Sequence, residues 1–187
     1  MQIGYPVNVS SVHEYNELKL HEKAQLSQCP LHPEGGCGFR RHGTYTRLIP
    51  IACKIPCWYC RVGHTVISLL PDFFASRLPG TLKDVEEVVL EVEKHPTLSS
   101  AAESIRPDIE LQGALRWLRR RLNYVNQILK VAAGILNPVG FKDLRQLQKL
   151  FQVGFILPHL RSYLNDHLYK MPHILGLIPP RIEPVGG

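Results

Sequence analysis

Between residues 82 and 95, apolar side chains recur at Val85, Val88, Val89 and Val92 with acidic residues between them, the spacing of one face of an amphipathic helix. The next stretch, "PTLSSAAESI", places Pro96 ahead of hydroxyl caps at Thr97 or Ser99 and predicts a short helix over Thr97–Ile105, broken by Arg106-Pro107-Asp108. Leu111, Leu115, Leu118, Leu122, Val125 and Leu129 then mark one stripe of a long helix over Ile109–Val131, ended by Gly134 and Pro138. Two further helices are expected in "GFKDLRQLQKLF" and "FILPHLRSYLNDHLYK", the second started or kinked by Pro158.

Upstream the pattern is of another kind. Residues 1–26 show no strong period and read as a loosely packed lead-in. From 27 to 71, three short β-prone runs, Thr44–Pro50, Ile51–Ile55 and Thr65–Leu70, alternate with turn residues such as Pro30, Gly35, Gly38 and Gly43. A segment this short buries too little apolar surface to fold alone, so a structural metal is expected. The chain thus divides into a lead-in (1–26), a ribbon (27–73), a helix-turn-helix-like domain (74–133), C-terminal helices (134–176) and a proline- and glycine-rich flexible tail (177–187). The fold class expected is α+β, a small N-terminal three-stranded zinc ribbon followed by an all-α helix-turn-helix-like bundle.

The cysteines sharpen the ribbon. All five (Cys29, Cys37, Cys53, Cys57, Cys60) fall in one short window, and their odd number suits metal ligation better than a disulfide framework. Cys29 and Cys37 open the candidate set, with His32 as a competing ligand. For the second pair, Cys57 and Cys60 have knuckle spacing, and Cys60 and His64 are an alternative in which Gly63 supplies the turn. A sulfur-rich tetrahedral set without an open position predicts Zn2+ in a structural role.

Charge adds a partner. Lys and Arg outnumber Asp and Glu by 22 to 16, a formal charge of +6 that favours polyanions. On the long helix Arg116 and Arg120 lie one turn apart with Arg119 beside them, suited to phosphates or guanine edges. Arg40, Arg41 and Arg47 form a second basic patch around Tyr45. Against this, Glu86, Glu87, Glu91 and Glu93 could neutralise the helix arginines internally. Double-stranded DNA is the expected partner. The alternatives are a zinc-stabilised adaptor docking a protein through residues 139 to 170, with Leu144, Leu147, Leu150, Phe151, Phe155, Ile156, Leu160, Tyr163, Leu164 and Leu168 as its apolar positions, and an RNA-binding accessory protein.

Carboxylates converging from several strands, a Walker loop, a GxSxG elbow and an HExxH helix are all missing from the sequence, which predicts a non-enzymatic protein. With no apolar run near the roughly 20 residues of a membrane span and no signal-peptide layout, the expected location is the cytoplasm, without a membrane partner.

"CPLHPEGGCGFRRHGTYTR", "WYCRVGHTVISLLPDFFASRLPGTLKDVEEVV" and "AAESIRPDIELQGALRWLRRR" together resemble a group of bacterial transposase-associated proteins that pair a zinc ribbon with a helix-turn-helix. The resemblance spans about residues 27 to 130 and is most specific in "SLLPDF" and "GALRWLRRR". It implies Cys29, Cys37, Cys60 and His64 as ligands, with Cys53 and Cys57 additional to the pattern. It also implies a targeting or regulatory role in a mobile-element system.

Overall fold

The computed structural model describes residues 1–136 and 143–164. They fall into two compact units, one of residues 1–79 and one of the described residues from 80 to 164.

The first unit is built on a four-stranded sheet in the order β1-β4-β3-β2, where β1 is Gln2–Tyr5, β2 Arg40–Arg47, β3 Cys53–Cys60 and β4 Thr65–Pro71. β2, β3 and β4 run antiparallel, and β1 joins β4 in parallel with Gln2 opposite Ser68 and Tyr5 opposite Pro71. This overturns the expected three-stranded ribbon followed only by helices. The sheet is mixed, its outer strand comes from the segment read as a lead-in, and two helices, α1 (Val12–Glu17) and α2 (Leu20–Lys23), precede β2.

The physical reason lies in β4. Ile67 through Pro71 are buried without alternation, so this strand needs cover on both faces and a neighbour on both edges. "QIGY" supplies the missing neighbour, but four residues are too few to show a period. Ser11 caps α1 by accepting from the Glu14 N–H, and Tyr15, fully buried, donates its hydroxyl to the Lys54 carbonyl.

Strand alternation gives the sheet two unlike cores. Trp58, Cys60, Ile67, Leu69 and Ile3 face one side together with Cys29 and Cys37. Cys53, Ile55 and Leu70 face the other, with Val12, Tyr15, Phe73 and Phe74.

The second unit contains α3 (Leu82–Val92), α4 (Leu98–Ile105), α5 (Leu111–Leu136), α6 (Leu144–Phe151) and α7 (Ile156–Tyr163). Reciprocal capping boxes start α3 (Thr81 with Asp84) and α4 (Thr97 with Ser100). The small residues Ala101 and Ala102 bring α4 close to Ala114, Leu115 and Leu118 of α5. Glu86, fully buried on α3, accepts from the Ile156 and Leu157 N–H groups at 2.7 and 2.8 Å and from the Gln148 side-chain amide at 2.7 Å. One carboxylate therefore caps the start of α7 and ties it to α3.

Of the apolar positions considered for docking a partner, Leu144, Leu147, Ile156, Leu160 and Leu164 are buried core, whereas Leu150 and Tyr163 are exposed. Leu168 lies outside the described residues. No helix among the described residues is long and apolar enough to cross a membrane.

Candidate metal centre

Cys29, His32, Cys37 and Cys60 converge so that one ligand atom from each lies within 4.8 Å of all the others. His32 Nδ1 is 3.3 Å from the Cys60 sulfur and 3.8 Å from that of Cys29. Ligands about 2.0 to 2.3 Å from a common tetrahedral ion stand roughly 3.5 Å apart, so the donor set fits one four-coordinate ion. The three cysteines are buried and His32 is half-buried.

Two turns and a strand end create this convergence. The His32 N–H donates to the Cys29 carbonyl and the Gly35 N–H to that of His32, folding Cys29-Pro-Leu-His32 into a tight knuckle. Gly35, Gly36 and Gly38 all take positive φ, which lets the chain double back to Cys37. The Arg61 and Val62 N–H groups then donate to the Cys37 carbonyl, fastening this loop to the end of β3.

At that end the Gly63 N–H donates to the Cys60 sulfur at 3.2 Å. A Cβ on Gly63 would sit 3.3 Å from the same sulfur and 3.1 Å from Leu31 Cδ1, so glycine permits the close approach. Burial opposes ionisation of Cys60 but is outweighed by the N–H groups of Gly63 and Val62 and the Cys29 and Cys37 thiols, which hold its pKa below that of an ordinary thiol. Burial and its two cysteine neighbours push the Cys37 thiol up to about 11. Cys60 thus ionises more readily than Cys37, which a cation must help to deprotonate.

The histidine in the cluster is His32, the competing candidate, and not His64. His64 is exposed at the β3–β4 turn, where its Nδ1 lies 3.3 Å from the Tyr59 hydroxyl. Cys57 does not join either. Three positions before Cys60 on a continuous strand, it faces the opposite side, with its sulfur 3.4 Å from the Ser68 hydroxyl and 3.6 Å from the Ile55 carbonyl. Cys53 shares that side, and burial pushes its thiol up to about 11. The sequence held one signal for His32, the knuckle spacing of Cys29 and His32; the continuity of the Cys53–Cys60 strand, which excludes Cys57 from any site that uses Cys60, emerges from the fold.

The arginines divide in the same way. Arg41 donates to the carbonyls of His21, Glu22 and Ala24 and lies over the Trp58 ring, so it caps the end of α2. Arg47 donates to the Ala75 and Leu78 carbonyls and lies over Phe74. These two guanidiniums hold the first unit together. Arg40 is exposed on β2, and Arg116, Arg119 and Arg120 are exposed on α5.

Neighbouring Trp117 packs between Arg121, 3.5 Å from its ring centre, and Arg106, 4.8 Å away. Glu86 is committed to α7, Glu87 pairs with Lys83, Glu91 with Lys94 and Glu93 with Arg145, whereas Asp84 acts electrostatically on the buried Arg121 of α5.

No protein-family model, curated protein or solved structure matches the chain.

Proposed function

We propose that the chain is a non-catalytic nucleic-acid-binding protein whose first unit is stapled by a structural zinc ion on Cys29, His32, Cys37 and Cys60. Three thiolates and one imidazole are a set that zinc favours, and four protein donors leave no position for a substrate. When bound, the ion supplies a cross-link and a compensating charge for buried thiolates.

The observation that carries the binding role is on α5. Leu111–Leu136 contains arginine, lysine and amides but not one carboxylate, and Glu86, Glu87, Glu91 and Glu93 are engaged elsewhere. Exposed guanidiniums on a helix that carries no carboxylate favour a polyanion. The resemblance of residues 27 to 130 to transposase-associated proteins supports a targeting or regulatory role in a mobile-element system.

Replacing Arg116, Arg119 and Arg120 together by Ala tests the role. Duplex binding should weaken and its salt dependence flatten, with the helical circular dichroism unchanged. Unaltered binding would remove α5 from the contact.

A further inference from the structure

Between Gln112 and Lys130 every exposed position of α5 carries a side chain able to hydrogen-bond a nucleic acid: Gln112, Arg116, Arg119, Arg120, Asn123, Asn126, Gln127 and Lys130. At about 100° per residue these eight fall within an arc of roughly 120°, opposite the buried Leu118, Val125 and Ile128. Within the arc the residues are not equivalent. Arg119 and Arg120, being consecutive, sit about 100° apart toward its opposite margins, with Asn126 outermost beside Arg119. Arg116 and Asn123, seven residues apart, fall close together near the middle, because seven residues advance an α-helix by nearly two whole turns.

A helix about 10 to 12 Å across fits the major groove of B-form DNA, about 12 Å wide, and enters the deep narrow groove of an RNA duplex poorly. In that groove the middle of the exposed face meets base edges and its margins meet the two phosphate walls. We infer that Arg116 and Asn123 read base edges in duplex DNA while Arg119 and Arg120 hold the flanking phosphates. The inference rests on the polyanion role proposed above and adds sequence discrimination to it. Arginine matches the O6 and N7 acceptors of guanine, and asparagine matches the N6 donor and N7 acceptor of adenine.

Selection from a random duplex library with the intact protein, followed by titration of single-base variants at several salt concentrations, tests it. Asn123→Ala should lose roughly fivefold to a hundredfold of discrimination at one A·T position, with the slope of log affinity against log salt unchanged. Arg119→Ala should weaken binding evenly across sequences and reduce that slope by about 1. Discrimination retained by Asn123→Ala, or tighter binding to an RNA duplex, would overturn the base-reading assignment while leaving polyanion binding intact. Absence of salt-dependent binding by the intact protein would instead remove the polyanion role, and this inference with it.

Discussion

His32 Nδ1 stands 3.3 Å from the Cys60 sulfur across 28 positions of sequence, whereas His64, four positions from Cys60, turns to the Tyr59 hydroxyl. Separation along the chain is therefore a poor guide to which histidine joins the thiols. Metal counting separates the two. His64→Ala and Cys57→Ser should each keep one ion per chain, while His32→Ala should bind it at least tenfold more weakly or lose it. Retention of full affinity by His32→Ala would show that the fourth donor lies elsewhere.

Loading should release protons. Because burial and its cysteine neighbours push Cys37 up to about 11, this group is a thiol at pH 7, and a metal ion binds its thiolate. Calorimetric titration in buffers of different ionisation enthalpy should report at least one proton released near pH 7, with the Cys37 share halved near pH 11 and lost only above it. A buffer-independent heat at pH 7 would contradict a thiolate-ligated site.

Glu86 gives the second unit a pH dependence of definite sign. Burial raises its pKa, and the Ile156 and Leu157 N–H groups and the Gln148 amide only partly oppose that. The folded state therefore holds this proton more tightly than the unfolded state. Its contribution is complete below the ordinary glutamate range and is lost as pH rises through the raised value. Glu86→Gln should flatten this dependence in denaturant titrations. Glu86→Ala leaves the α7 amides without their acceptor and should cost about 2 to 4 kcal/mol at neutral pH.

Arg41 and Arg47 should behave differently from the α5 arginines despite equal charge. Arg47→Ala removes donors from the Ala75 and Leu78 carbonyls and should destabilise the first unit by about 1 to 3 kcal/mol. The salt slope of DNA binding should stay unchanged. A reduced slope with unaltered stability would reassign Arg47 to the nucleic-acid surface.

The parts of this architecture that sequence periodicity reveals are those with a long repeat. α3, α4 and α5 carry apolar positions at helical spacing, and their ends carry cap residues, so Leu82–Val92 and Leu98–Ile105 lie close to where the pattern puts them. β1 has four residues and no period of its own; its place is fixed by the two-sided burial of β4, a tertiary demand. Three of the four metal-site residues were legible from cysteine crowding. Excluding Cys57 required knowing that Cys53–Cys60 is one strand, and choosing His32 over His64 required the fold that brings His32 to the Cys60 sulfur. The roles of Arg41 and Arg47 depend on carbonyls 17 to 31 positions away, which local composition does not encode.

The opposed facing of Cys57 and Cys60 also divides the sulfur chemistry of the first unit. Cys29, Cys37 and Cys60 form one compartment, and Cys53 and Cys57 another, with the thickness of the sheet between them. An oxidant reaching the Cys60 side would meet three adjacent sulfurs, two of which can pair in the absence of a bound ion. The two on the far side are spectators to that event. Damage of this kind would open only one cover of the sheet, leaving Tyr15, Ile55 and Phe74 packed as a scaffold on which the ligands can be reset after reduction.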